Sequence, residues 1–335
     1  MKKRKWLFRI LWIVAILALL FVSGPRPDTI TFDAKLPFIT IPAVELEKKI
    51  AERESKIANI KPGNQSRILW YDTLKKSKTP YVIVYLHGFS ASGEEGNPVA
   101  TDVATKYGFN LYMPRLYAHG LDEKEPLLSF NEKDYLNSAK QAVAEAFNLG
   151  EKVIIMGTST GCTLALIIAS ANPDISGLIL YSPNIDLFDS RSFVLTLPWG
   201  LQIARTINGG NYYAFAAPPE AEKYWNTKYR IEALIKLKNM VNITMSKQTF
   251  SQVKQPVLVC YYYKNEKQQD DVVSVPALLK MVEELGTEKA LKRKVAIPEA
   301  GVHALASGIW GKDIGSVEKA SISFLDEVLK VKALK

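Results

Sequence analysis

Residues 153–161 read Val-Ile-Ile-Met-Gly-Thr-Ser-Thr-Gly, and the apolar run Cys162 to Ala171 follows directly. The four apolar residues at the start predict a buried strand, and the run after Gly161 predicts a helix. The pattern G-x-S-x-G between them allows a sharp turn, because glycine tolerates backbone conformations that other residues avoid. We therefore expect a strand-turn-helix unit that exposes the hydroxyl of Ser159.

The same alternation of strands and helices continues on both sides of this unit. Apolar runs rich in β-branched and aromatic residues predict further strands at residues 66–72, 80–86, 109–113, 177–181, 256–263 and 292–297. Apolar residues at helical spacing predict helices at residues 131–149, 275–285 and 316–332. Strands that are apolar throughout are typical of a parallel sheet buried on both faces. The chain is therefore predicted to be a wound α/β domain, a mostly parallel central sheet flanked by helices.

Residues 186–253 interrupt this alternation. The stretch is irregular and aromatic, with Pro198-Trp199, Tyr212-Tyr213 and Tyr224-Trp225 among short helical segments. An insertion of this length between core strands usually covers or shapes a site. We expect a helical cap whose aromatic side chains form its own core or line a pocket.

A serine hydroxyl is a weak nucleophile that needs a base within hydrogen-bond reach. The chain offers three histidines, of which His87 and His119 precede Ser159 and His303 lies just after the last predicted core strand. In wound α/β enzymes with a serine nucleophile, the chain order is serine, acid, histidine. This order favours His303 as the general base.

The acid that orients the imidazole is expected on the loop after the strand at residues 256–263. Asp270 and Asp271 both lie on that loop. The chain order is satisfied by either carboxylate, so both remain candidates at this point.

Four motifs together resemble the α/β-hydrolase fold family, and within it the capped serine esterases and monoacylglycerol-lipase-like proteins. They are His87-Gly88-Phe89, Gly157 to Gly161, Asp270-Asp271-Val272-Val273 and Gly301-Val302-His303, and the resemblance covers residues 66–335. The acid of that family commonly lies in an Asp-x-Val-Val pattern. The resemblance therefore favours Asp270, with Asp271 as the alternative acid.

The resemblance also implies the remaining parts of the site. The oxyanion hole of the family uses two backbone amides, which correspond to Phe89 and Thr160, and the histidine at position 87 orients the first of these loops. The implied activity is hydrolysis of carboxylic esters through an acyl-enzyme. The aromatic cap and the apolar N-terminal run, rather than the resemblance, suggest a lipid or other amphiphilic substrate. Thioesterase, lysophospholipase or acyltransferase activity would use the same residues. The alternative to an enzyme is a non-catalytic binding module of the cell envelope.

The N-terminus carries a basic cluster followed by an apolar run. Lys2, Lys3, Arg4, Lys5 and Arg9 precede or interrupt a run that ends at Val22. About 20 apolar residues are needed to cross a bilayer, so the run is short for a span. Residues 1–24 are predicted to be an uncleaved anchor with its basic end in the cytoplasm and the catalytic domain outside it. The alternative is a signal peptide, with secretion after cleavage.

Composition and motifs exclude several other functions. Five of the nine net positive charges lie in residues 1–24, so the rest of the chain lacks the basic patch of a nucleic-acid-binding protein. Cys162 and Cys260 are far apart and suggest two buried thiols rather than a disulfide framework. No P-loop, G-x-G-x-x-G or H-E-x-x-H motif occurs, so we expect no cofactor and no metal site. The predicted organisation is an anchor at 1–24, a linker with a juxtamembrane helix at 25–65, and the hydrolase domain at 66–335.

Overall fold

The computed structural model describes residues 2–334 and the side chains from Lys5 onward. The helices are, in chain order, α1 (Lys2–Val22), α2 (Ala43–Ser55), α3 (Val99–Tyr107), α4 (Glu132–Ala146), α5 (Thr160–Ala171), α6 (Gly200–Ile207), α7 (Ile231–Thr244), α8 (Lys247–Gln252), α9 (Val275–Glu284) and α10 (Ile314–Ser323). The strands are β1 (Arg67–Leu69), β2 (Thr79–Leu86), β3 (Asn110–Met113), β4 (Gly150–Thr158), β5 (Ile175–Tyr181), β6 (Tyr212–Ala214), β7 (Lys228–Arg230), β8 (Val257–Tyr261), β9 (Tyr263–Asn265), β10 (Gln268–Gln269) and β11 (Lys292–Ala296).

Seven of these strands form the central sheet, in the order β1-β3-β2-β4-β5-β8-β11. Only the edge strand β1 runs antiparallel to its neighbour, and the other six strands are parallel. The predicted fold class, a mostly parallel sheet flanked by helices, is confirmed. Because the six strands are parallel, the loops that follow β2, β4, β8 and β11 meet at one edge of the sheet.

Side chains of the central strands pack on both faces of the sheet. In β4, Val153 and Ile155 belong to the core under α4, α5 and α9, whereas Ile154 and Met156 belong to the core under α3 and α10. Two faces buried by helices leave no polar face, which explains why these strands read as continuous apolar runs.

The structure differs from the sequence-based expectation in three elements. Helix α3 was not predicted; it ends at Gly108, whose left-handed φ of 68° is a common helix terminus. The strand predicted at residues 66–72 is limited to β1. The last helix leaves α-helical geometry at Phe324, where a π-helical turn extends to Val328.

The cap consists of a 3-10 turn at Ser190–Thr196, helices α6 and α7, and the small antiparallel sheet of β6 and β7. Helix α8 falls inside the predicted cap but packs on α5 and α9 of the core domain. The helices of the cap therefore end before α8.

Helix α1 is longer than the apolar run suggested. The 18 residues Lys5–Val22 are long and apolar enough to cross a membrane, and none of them is buried against the protein. A signal sequence would share these properties. The helix is followed by an extended segment, residues 25–42, which lies along the domain and is here called the strap.

Replacing Gly161 by alanine is expected to destabilise the domain severely. A Cβ at Gly161 would lie 1.9 Å from the Leu86 carbonyl oxygen, so the backbone of β2 would have to move. We expect a loss above about 3 kcal/mol, because overpacking typically costs about 1–3 kcal/mol even where side chains yield. Gly210→Ala is the matched control, because its Cβ would meet no atom within 4 Å. It should change stability by less than about 0.5 kcal/mol.

Thermal and urea unfolding of the full chain in detergent would measure both variants. Equal stability of Gly161→Ala and Gly210→Ala would contradict the close contact.

Candidate active site

Ser159 lies at the turn between β4 and α5. Its backbone has φ 55° and ψ −117°, an unusual conformation for a residue with a side chain. The turn is held from β5, because the Ser159 amide donates to the Tyr181 carbonyl at 2.9 Å and the Ser159 carbonyl accepts from the Asn184 amide at 3.1 Å. The surrounding hydrogen bonds therefore impose the strained conformation on Ser159.

The glycines on either side of Ser159 allow β2 to come close. A Cβ at Gly157 would lie 2.8 Å from the Leu86 carbonyl oxygen, and the one at Gly161 would lie closer still. Hence the G-x-S-x-G pattern is required for packing as well as for the turn, and it places Ser159 next to the end of β2.

His303 and Asp270 are brought together from the loops after β11 and β8. His303 Nδ1 and Asp270 Oδ2 are 2.7 Å apart, and Asp270 is fully buried. The other oxygen of Asp270 accepts from the amides of Val272 and Val273, at 2.9 and 3.0 Å. Asp271 is exposed and makes no hydrogen bond to His303. Of the two candidate acids, the structure places Asp270 beside the imidazole.

The charges of this pair favour the ionised forms. Burial lowers the pKa of His303, but the Asp270 carboxylate and its hydrogen bond outweigh it, so the pKa is raised above its usual value. Burial also raises the pKa of Asp270, but the charge of His303, its hydrogen bond and the two backbone amides together lower it. Asp270 is therefore a carboxylate at neutral pH, and His303 Nδ1–H is the donor.

His303 and Ser159 line the same cavity. The Nε2 atom of His303 is buried and makes no hydrogen bond within residues 2–334. Catalytic hydrogen bonds are often loose or absent without substrate. His303 and Ser159 both line this cavity, so the free Nε2 is available for a hydrogen bond there.

Phe89 and Thr160, the two predicted amide donors, both belong to segments next to Ser159: Thr160 follows it in sequence, and Phe89 follows Gly88, where an added Cβ would lie 3.2 Å from the Ser159 Cβ. Both residues line the cavity, and neither backbone amide donates a hydrogen bond within residues 2–334. Thr160 is the first residue of α5, where helical amides lack partners within the helix. Two unpaired amides beside a serine hydroxyl are suited to bind an oxygen that carries negative charge.

His87 connects two loops. Its Nδ1 lies 2.9 Å from the Gly88 carbonyl, and its Nε2 accepts from the Leu116 amide at 3.1 Å. Burial lowers the pKa of His87 to about 4, and the Arg115 charge adds to this effect, so the ring is neutral. A neutral ring with both nitrogens occupied has a structural role. His119 is also fully buried, stacked on Tyr135, and holds the Tyr117 carbonyl.

Glu95 is a site residue that the sequence analysis missed. It lies on a 3-10 turn at Gly93–Gly96, is only 3% exposed, and lines the cavity with Ser159 and His303. Its Oε2 accepts from the Gly88 amide at 2.5 Å and from Tyr85 Oη at 3.4 Å. Burial raises the pKa of Glu95 to about 7, against the opposing effects of the Gly88 amide and the His303 charge. No motif marks this glutamate, and only its short distance in sequence from His87-Gly88 gave a signal.

The cavity has a volume of about 970 Å³ and extends from Ser159 into the cap. Its cap side is largely apolar and aromatic, with Phe193, Ile203, Tyr213, Phe215 and Tyr229 among the lining residues. The cap aromatics therefore line a pocket, one of the two roles expected for them. Within residues 2–334, no three histidine, cysteine or acidic side chains lie close enough to share a metal ion.

Comparison with known proteins agrees with this architecture. No known family profile matches the chain. A stretch of 108 residues is 27% identical to a thermostable monoacylglycerol lipase of Bacillus sp. (strain H-257), and covers 32% of this chain and 42% of that lipase.

Solved structures match over a larger part of the chain. A structure from the work on LipS and LipT, two metagenome-derived lipolytic enzymes, superimposes with a TM-score of 0.62 at 15% identity, over 80% of this chain and 99% of that one. The monoacylglycerol lipase of Paleococcus ferrophilus gives 0.57 at 13% identity, over 78% and 97%. A soluble variant of the Saccharomyces cerevisiae monoglyceride lipase gives 0.56 at 14% identity, over 78% and 91%. The sheet topology and these similarities together show that the chain has the α/β-hydrolase fold.

Proposed function

We propose that this protein is a serine hydrolase of carboxylic esters, with Ser159 as nucleophile, His303 as general base and Asp270 as the acid that orients the imidazole. The observation that carries this proposal is the 2.7 Å hydrogen bond between His303 and the buried Asp270, which leaves Nε2 free in the cavity shared with Ser159. This is the arrangement that activates a serine hydroxyl.

The mechanism follows from the positions of these groups. His303 Nε2 takes the Ser159 proton while Oγ bonds to the ester carbonyl carbon. The carbonyl oxygen becomes negative and is bound by the Phe89 and Thr160 amides, and each such donor contributes about 3–4 kcal/mol to transition-state stability. The carbon–oxygen bond to the alcohol breaks, and the alcohol leaves with the proton from His303. Water then releases the acid from Ser159 by the reverse proton path.

The shape of the cavity favours substrates with an acyl chain. A volume of about 970 Å³ is at the upper end for small-molecule sites, and its cap side is lined by apolar groups. The similarity to monoacylglycerol lipases supports the same class of substrate. We therefore propose an ester with one long acyl chain and a small alcohol.

We also propose that α1 is a retained membrane anchor. The basic residues Lys5 and Arg9 lie at its N-terminal end, and basic residues flanking a span favour the cytoplasmic side. The catalytic domain then lies on the opposite side of the membrane.

Loss of the Ser159 hydroxyl is expected to abolish turnover. Ser159→Ala should lower kcat by roughly 10⁴-fold or more, because removal of a serine nucleophile costs on that order in serine hydrolases. The measurement is hydrolysis of p-nitrophenyl esters from acetate to palmitate, with a fluorophosphonate probe to label the serine. The matched control is Ser90→Ala, since Ser90 lines the same cavity but has no place in the mechanism.

Labelling that persists in Ser159→Ala would assign the nucleophile to another residue. No labelling and no turnover in the native protein would favour a non-catalytic binding module. Preference for a thioester or for transfer to an alcohol would keep the site and change the reaction.

The two neighbouring aspartates should differ sharply in effect. Asp270→Asn is expected to lower kcat by roughly 10³–10⁴-fold, because an amide no longer stabilises the imidazolium or the required tautomer. Asp271→Asn should stay within a few-fold of the native rate, because Asp271 is exposed and is not bonded to His303. Steady-state kinetics on one soluble ester would measure both. Similar losses in the two variants would contradict the assignment of the acid.

Glu95 is expected to affect the pH dependence of the reaction. His303 acts as a base in its neutral form, so activity falls as the pH drops through its pKa. Glu95, whose own pKa is about 7, is partly ionised in that range, and its negative charge raises the pKa of His303. In Glu95→Gln the charge is lost while an acceptor for the Gly88 amide remains. The acid limb of kcat/KM should therefore move to lower pH.

The control for this experiment is Glu94→Gln, because the Glu94 carboxylate pairs with Arg67 and Asn97 outside the cavity. Its acid limb should match that of the native protein. An acid limb of Glu95→Gln that stays unchanged would show that Glu95 does not interact with His303.

A further inference from the structure

We infer that the end of α1 and the cap form one surface that lies on the membrane, so that the active-site cavity opens toward the bilayer and receives its single-chain ester from it. This inference rests on the esterase function and the retained anchor proposed above. What is new is that the cap itself contacts the surface of the bilayer.

The strap fixes the domain relative to the anchor. Asn172 donates to the Ala34 carbonyl at 2.8 Å and accepts from the Leu36 amide at 3.1 Å. Asn148 likewise donates to the Ile39 carbonyl at 3.1 Å and accepts from the Ile41 amide at 2.9 Å. The segment after the anchor is therefore attached along the domain, and the domain cannot rotate freely about the helix.

Two further contacts hold the part of the strap nearest the anchor. Asn239 of α7 donates to the Asp28 carbonyl at 3.0 Å, and Lys140 of α4 donates to the Asp33 carbonyl at 2.8 Å. Since α7 belongs to the cap, the strap begins at the cap and continues along the core domain.

The cap touches the last turn of the anchor directly. Trp199, at the start of α6, donates from its backbone amide to the Pro25 carbonyl at 2.9 Å and from its indole Nε1 to the Leu20 carbonyl at 3.0 Å. Gly24 is buried under this ring, because a Cβ there would lie 2.1 Å from Nε1. The carbonyls of a final helical turn lack backbone partners within the helix, and the Leu20 carbonyl accepts from both the Ser23 hydroxyl, at 3.0 Å, and the indole. Tryptophan is also the residue that favours the membrane interface.

The same part of the cap forms a wall of the cavity. Phe193 on the 3-10 turn and Ile207 on α6 line the cavity, although they are 57% and 80% exposed. Trp199 lies between them in sequence and is 38% exposed. The 3-10 turn packs on α6, and α6 begins at the contact with the anchor. Large apolar side chains exposed on elements that meet the end of a membrane span are suited to lie among lipid headgroups and acyl chains. A single acyl chain leaving the bilayer would then meet the apolar wall of the cavity before it meets Ser159.

The position of the cap can be measured on the full chain. Ile207→Cys labelled with the fluorophore NBD, in phosphatidylcholine–phosphatidylglycerol vesicles, is compared with Leu74→Cys, labelled in the same way. Leu74 is 95% exposed and lies before β2, at the edge of the sheet opposite the cavity. Both native cysteines are buried, so the label reports the introduced site.

The label at position 207 should be quenched by nitroxide lipids at least about threefold more than the label at position 74, and should be shielded from aqueous iodide. Equal exposure of the two labels to iodide would overturn the inference. So would mass spectrometry showing that the membrane-bound chain has lost residues 1–24.

A kinetic measurement separates this inference from the proposed function. Trp199→Ala should lower hydrolysis of a long-chain monoacyl ester in vesicles by about tenfold, while p-nitrophenyl acetate hydrolysis and fluorophosphonate labelling stay unchanged. If Trp199→Ala is unstable, Trp199→Phe replaces it in the same measurement, because phenylalanine keeps an aromatic ring but lacks the indole N–H. Unchanged vesicle hydrolysis, or equal losses on both substrates, would overturn the inference. Failure of the native protein on the soluble ester would instead refute the esterase function.

Discussion

The candidate site depends on the contact between the turn after β4 and the carboxyl end of β2. Gly157 and Gly161 both press against the Leu86 carbonyl, at distances that leave no room for a Cβ at either position. This contact places the Ser159 turn beside the loop that carries Phe89. As a result, the hydroxyl and the two free amides come from adjacent strands, and their separation is set by the spacing of the sheet rather than by flexible loops.

The three histidines show how environment decides the role of one residue type. The Nδ1 atom of His303 is hydrogen-bonded to a buried carboxylate, and the pKa of His303 is raised. His87 has a carbonyl on one nitrogen and an amide donor on the other, and its pKa falls to about 4. His119 is buried without a charged partner, and burial together with the nearby His87 lowers its pKa well below the usual value. Only the first environment combines a raised pKa with a ring nitrogen that is free to accept a proton.

Much of this arrangement could be predicted from the sequence, because it follows from local patterns. The apolar runs of β2 and β4 and the glycines around Ser159 each specify a structure within a few residues. Glu95 and the two-sided Asn148 and Asn172 contacts could not be predicted. No motif marks Glu95, although its partner Gly88 lies only seven positions away, and the asparagine contacts join residues more than 100 positions apart. Helix α3 did carry a signal, an amphipathic stretch between Pro98 and Gly108.

The strap shows why composition alone gave an incomplete description of residues 25–42. Proline at positions 25, 27, 37 and 42 prevents a regular helix or sheet, and such composition is typical of a linker. A segment without internal backbone–backbone hydrogen bonds still needs partners for its amides and carbonyls when it lies on a protein surface. Asn148 and Asn172 follow the ends of α4 and α5, and each amide group offers both a donor and an acceptor. The irregular segment is therefore held in one path by the helices it crosses, and a proline-rich chain loses little entropy when it is fixed in this way.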